Sequence, residues 1–122
     1  MANLGSLERA IMEALWDADK PLRVRELLGM LSEERELAYT TVQTVAERLV
    51  KKGLLVRTPY RNAFRYAAAK SRDQHVSDLM LEALAASTDR LPVLARFAQS
   101  VAEEDALALM AELRRRQRRS TT

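Results

Sequence analysis

One stretch constrains the fold more than any other. Across residues 39–52 apolar side chains return at helical spacing, at Val42, Val45, Ala46 and Leu49, which predicts a helix with a single buried stripe. Gly53 supplies its stop. Two short β-type runs follow at once, 54–58 and 63–67, joined by Pro59-Tyr60-Arg61-Asn62, which has turn chemistry. Phe64 and Tyr66 are expected on one strand face and Arg65 on the other. A helix that feeds directly into a hairpin cannot cover both apolar faces alone, so flanking elements must complete the core.

Those elements lie upstream. Residues 6–17 read as a helix with Ser6 as N-cap and Glu8 in the first turn, where the helix dipole favours an acid. Leu7, Ile11 and Leu15 share one face, with Met12 and Trp16 beside them, and Trp16 is expected to pack beneath the hairpin. Lys20-Pro21 ends this helix, Leu22 and Arg23 form a short extended link, and a second helix over 24–32 buries Val24, Leu27, Leu28 and Leu31. The polar run Glu33-Glu34-Arg35-Glu36 reads as a turn. Helix, short strand, helix, helix and hairpin, in that order, make a winged helix: a helix-turn-helix carrying a β-hairpin wing. It is assigned to residues 1–70.

Residues 71–122 return to helix. Expected helices span 71–86 (Val76, Leu79, Met80, Ala83), 91–101 (Leu94, Phe97, Ala98, Val101) and 103–118 (Ala106, Leu109, Met110, Leu113), with Ser87-Thr88-Asp89 as a break. The last begins with three acids and ends in a run of arginines, which suits its dipole. Three short amphipathic helices have little else in the chain to cover them. A second copy would bury their faces, so a homodimer joined through Leu79, Met80, Leu94, Phe97, Leu109, Met110 and Leu113 is expected. The fold class is therefore mainly α, a winged helix-turn-helix with a small hairpin wing plus a C-terminal three-helix dimerisation domain.

Composition excludes several functions. There is no cysteine, which removes disulfides, thiolate metal sites and cysteine nucleophiles together. His75 is the sole histidine and reads as a surface or packing residue rather than a ligand. Three glycines are too few for a phosphate-cradling loop. No acid pair or Ser/His/Asp set is evident, so neither an enzyme nor a cofactor is expected. No apolar run approaches a membrane span, no leader segment is expected, and the simplest location is the cytoplasm. Met12, Met30, Met80 and Met110 are read as core.

Charge is unevenly placed. Residues 1–38 carry five basic and eight acidic side chains, and 71–122 carry eight of each. Residues 39–70 carry seven basic and only one acidic, Glu47. Such concentration suits phosphate binding. On the predicted helix, Thr40, Gln43, Thr44 and Glu47 lie outside the buried stripe, where polar side chains of a groove-bound helix reach base edges. Arg48, Lys51 and Lys52 follow on the next turns and suit phosphates, as does Arg61 at the wing tip. The partner implied is double-stranded DNA. The alternative is a winged helix used only for protein contacts, for which the basic bias has no purpose.

The run Leu37-Ala38-Tyr39-Thr40-Thr41-Val42-Gln43-Thr44-Val45, then Arg48-Leu49, Lys51-Lys52-Gly53-Leu54 and Arg61-Asn62-Ala63-Phe64-Arg65-Tyr66, resembles the penicillinase-repressor family, the BlaI/MecI-type repressors. The opening Leu4-Gly5-Ser6-Leu7-Glu8 and Leu15-Trp16 resemble that family too. The resemblance implies a homodimeric repressor on inverted-repeat operators with TACA/TGTA-like half-sites. It implies groove-facing roles for Thr40, Thr41, Gln43 and Thr44, and backbone contacts from Arg48, Lys51 and the wing. In β-lactam-responsive members a membrane sensor protease triggers cleavage in the dimerisation domain, commonly before a Phe preceded by Asn. The matching bond here is Arg96–Phe97, with Arg in place of Asn. The copper-responsive relatives sense through a C-terminal cysteine cluster, which this chain lacks.

Overall fold

The computed structural model describes residues 4–32 and 36–121. The expected turn at Glu33-Glu34-Arg35 lies outside the described residues. The element order is α1 (Ser6–Ala18), β1 (Leu22–Arg23), α2 (Val24–Leu31), α3 (Tyr39–Lys51), β2 (Leu55–Tyr60), β3 (Ala63–Ala68), α4 (Arg72–Ala85), α5 (Arg90–Ser100) and α6 (Glu103–Ser120). This is a winged helix followed by three helices. Contacts divide the chain into two units, Met1–Met80 and Leu81–Thr122, so the first half of α4 belongs with the winged helix.

In the first unit one core joins every element of the winged helix. Ile11, Met12 and Leu15 of α1 meet Leu22 of β1, Val24 and Leu27 of α2, Val42, Val45, Ala46 and Leu49 of α3, and Leu54, Leu55 and Tyr66 of the hairpin. Each large side chain buried there stabilises the fold by about 1.5–3 kcal/mol. The three strands form an antiparallel sheet in the order β1-β3-β2. Leu22 faces Tyr66 and Arg23 faces Arg65 across β1 and β3.

Local chemistry sets the helix ends. The residue that caps α1 is Gly5, not Ser6, and its N–H donates to the Glu8 carboxylate at 3.0 Å. Arg23 precedes α2 in the same way and donates its N–H to Glu26 at 3.0 Å. At the end of α3, Gly53 takes a positive φ of 78°, its N–H reaches the Val50 carbonyl, and the Leu54 N–H reaches the Leu49 carbonyl. These bonds satisfy the last carbonyls and turn the chain into β2. Pro59 and Tyr60 belong to β2 rather than to the turn, which shortens to Arg61 and Asn62. An edge strand tolerates the proline, which has no N–H to donate.

Trp16 packs against the start of α4 and shares a surface groove with Ala67 and Ala68 of β3. Its indole N–H donates to the Lys70 carbonyl at 2.9 Å, and its ring lies 5.4 Å from that of His75. Arg72 lies over the same indole and pairs with Glu13 at 2.5 Å and Asp17 at 2.9 Å. His75 is buried. In the second unit, Asp89 caps α5 by accepting the Leu91 N–H, but no residue of α5 or α6 is buried. Of the four methionines read as core, only Met12 is; Met30, Met80 and Met110 are exposed. Among the described residues no helix is long and apolar enough to cross a membrane.

Candidate nucleic-acid interface

Helix α3 separates its side chains by periodicity. Val42, Val45, Ala46 and Leu49 are buried, while Thr40, Thr41, Gln43, Thr44, Arg48 and Lys51 are all exposed. Gln43, Thr44, Arg48 and Lys51, with Glu47, line a shallow groove along the outer face. Four short or medium polar side chains therefore precede two cations on one open helical surface. That is the composition a helix needs to meet base edges at one end and phosphates at the other.

A larger groove of about 590 Å³ separates the start of α3 from the wing. Gln43 and Tyr39 line one side, Arg61 and Phe64 the other, and Arg23 and Arg25 of the β1–α2 junction stand at its end. The two arginines were not legible as part of the site, because 42 positions separate Arg23 from Arg65, its sheet partner. Arg61 lies at the wing tip with φ 56°. It occupies the first position of a two-residue hairpin loop, a position that favours glycine. Holding a non-glycine residue there costs about 1–2 kcal/mol, so the tip keeps a cation where glycine would relieve strain.

Glu47 is the single acid of the basic stretch, and the structure half-buries it against the wing. Its carboxylate accepts from the Tyr66 hydroxyl and from the Arg57 guanidinium. The Tyr66 hydrogen bond, then Arg57, holds the Glu47 carboxyl below its ordinary range despite partial burial. Burial and the bond to Glu47 push Tyr66 up to about 12. Arg57 also stacks over Phe64 at 4.5 Å. The wing is thus tied to α3 through side chains, and the residue expected to face a ligand is a brace. Its partners lie 10 and 19 residues away, beyond the reach of helical periodicity.

Lys52 has a similar internal partner. Its ammonium donates to the Glu8 carboxylate at 2.8 Å, which ties the end of α3 to the start of α1. This bond is the main cause of the lowered Glu8 pKa, followed by the Gly5 N–H. Arg48, Lys51 and Arg61 form no ion pair among the described residues. The apolar residues expected to join two copies lie on three helices. Met80, Leu94, Phe97, Leu109, Met110 and Leu113 are exposed and Leu79 is partly covered. Arg96 and Phe97 are both exposed on α5.

Comparison with known proteins adds a family to this geometry. The penicillinase repressor family model matches residues 4–115. The transcriptional regulator BlaI of Mycobacterium tuberculosis is 43% identical over 112 residues, spanning 89% of this chain and 81% of that protein. Among solved structures, the ST1889 protein of the thermoacidophilic archaeon Sulfolobus tokodaii superposes with a TM-score of 0.54 at 22% identity, covering 65% of this chain and 75% of that one. A MarR family protein from Bacillus stearothermophilus gives 0.50 at 18% identity, covering 98% and 76%. At these identities the two structures share the fold.

Proposed function

We propose that this chain, which belongs to the penicillinase repressor family, is a transcriptional repressor that binds inverted-repeat duplex DNA as a homodimer. The exposed row Thr40, Thr41, Gln43 and Thr44 on a helix whose opposite face is buried carries this reading. In it, α3 enters the major groove, Gln43 pairs with a base edge, and the threonine methyls pack on thymine. Arg48 and Lys51 contact phosphates beside the groove, and Arg61 contacts them from the wing. Lys52 contributes less, because Glu8 already holds its ammonium. Acting on the chromosome would place the protein in the cytoplasm.

The uncovered apolar faces of α4, α5 and α6 support self-association. A second copy would bury them and deliver two recognition helices to one operator, which raises affinity without any new contact. The membrane sensor protease of the family's β-lactam circuit would act on the Arg96–Phe97 bond. A cut there would separate α6, with Leu109, Met110 and Leu113, from the winged helix and end the paired grip.

Titration of mixed-sequence duplex at rising salt tests the reading. Displacing several phosphate counterions gives a log–log slope of about −0.9 per neutralised phosphate. A steep slope supports DNA binding. A flat response returns the chain to the protein-contact alternative.

A further inference from the structure

The sheet presents two faces of opposite character. Register places Leu55, Arg57, Tyr66 and Ala68 on the core side, and Tyr60, Arg65 and the β1 residue Arg23 on the other. Arg23 and Arg65 are direct partners across β1 and β3, so two guanidinium-bearing side chains stand opposite each other. Like charges in that relation weaken a sheet. Lys20 and Arg61 join them around a shallow groove in which, among the described residues, Glu26 is the one carboxylate. Glu26 is already engaged by the Arg23 side chain at 3.2 Å. Four cations therefore share a single acid.

Two of the four are stacked on one ring. The Arg65 guanidinium lies 3.9 Å from the Tyr60 ring centre and that of Arg61 lies 5.2 Å from it. This holds their heads in place rather than letting them spread into solvent. The Arg65 Nε–H is buried without an acceptor among the described residues, and an unmatched buried donor is costly. The fold thus concentrates positive charge, orders it on an aromatic ring and leaves a donor unsatisfied. The mutual repulsion of these cations would be relieved by a bound anion.

We infer that Lys20, Arg23 and Arg65, on the outer face of the sheet, seat the phosphodiester backbone of DNA flanking the half-site read by α3. Continuity selects DNA over an acidic protein. Arg23, Tyr60 and Arg61 line this groove and also the larger one that contains Gln43. The groove beside Gln43 therefore adjoins the groove on the sheet through the shared cations Arg23 and Arg61. Planar guanidinium groups match phosphate oxygens two at a time. The inference rests on the DNA-binding reading and extends it to positions that α3 does not reach.

The test uses the full chain and one high-affinity site selected from randomised duplex. The site is supplied either trimmed to its ends or with about one helical turn of mixed-sequence flank on each side, roughly 10 base pairs. The wild-type chain is expected to bind the flanked duplex more tightly and with a steeper salt slope. Arg65→Ala should lose that advantage while matching wild type on the trimmed duplex, with its slope on the flanked duplex shallower by about 0.9 per lost phosphate. Lys20→Glu, at an exposed position, should do the same should the Arg65 variant melt early. The inference is overturned if either folded variant keeps the flank advantage, or if it weakens both duplexes equally. A wild type indifferent to flanks also overturns it, while leaving recognition by α3 intact. In that event, binding of poly-glutamate that Arg65→Ala abolishes would reassign the patch to an acidic protein. Failure of wild type to bind even the trimmed duplex would remove the DNA reading and this extension together.

Discussion

Glu47 accepts hydrogen bonds from the Tyr66 hydroxyl and the Arg57 guanidinium at once, so one carboxylate on α3 holds both strands of the wing. The helix and the hairpin are thereby tied together through side chains. Glu47→Ala is expected to destabilise the fold by about 1–3 kcal/mol, because it leaves the buried Tyr66 hydroxyl unpaired. Glu47→Ala and Tyr66→Phe should be non-additive in urea unfolding, with a coupling of at least about 0.5 kcal/mol. Simple additivity would show that the two groups do not depend on each other.

The same contact fixes an alkaline dependence. Tyr66 is pushed from 10.0 up to about 12, so between those values the folded chain keeps a proton that the unfolded chain releases. The stabilisation is complete below pH 10.0 and is lost as pH rises through about 12. Tyr66→Phe should flatten that decline in a melting series. Parallel curves for variant and wild type would contradict the contact.

Acid works on the tie between the start of α1 and the end of α3. Lys52, and then the Gly5 N–H, hold the Glu8 carboxyl below its ordinary 4.5. A lowered pKa adds stability above 4.5, and that stability disappears as pH falls toward the folded-state value. Glu8→Gln should shrink the acid loss measured by thermal melting. An unchanged acid limb would mean that Glu8 and Lys52 are not paired in solution.

Adjacent lysines should behave differently. Lys51 faces outward, whereas Lys52 is held by Glu8. Lys51→Ala is expected to weaken binding to every duplex sequence and to reduce the salt slope by about 0.9. Lys52→Ala should move the melting temperature more than the slope. The reverse pattern would exchange their roles.

The proposed self-association would use faces that a single chain leaves open. Phe97 and Leu109 are 42% and 46% exposed. Phe97→Glu combined with Leu109→Glu should yield monomers in sedimentation while far-ultraviolet circular dichroism retains the winged helix. Affinity for an inverted repeat should then fall to that for one half-site. A dimer that survives both changes would place the interface elsewhere.

Much of this architecture was legible from spacing alone. The buried stripe of α3 followed from Val42, Val45, Ala46 and Leu49, and the outward row followed from the same period. What periodicity cannot supply is a partner. It placed Glu47 outside the stripe but could not show Tyr66 and Arg57 closing over it. It marked Met80 and Met110 as apolar without showing that the chain leaves them exposed. It placed Trp16 beneath the hairpin but could not show the acceptor of its indole N–H, the Lys70 carbonyl just before α4. Proline usually punctuates strands, so the sequence places Pro59 in the turn, an expectation that fails on an edge strand.

The most direct test of the account is to select duplexes from a randomised pool with the wild-type chain and with Gln43→Ala. Wild type should enrich an inverted repeat, and the variant should lose preference at one position in each half-site. That loss should cost about 1–3 kcal/mol on the selected site and leave non-specific binding unchanged. Enrichment of the same motif by both proteins, or of none by wild type, would contradict base reading by the exposed face of α3.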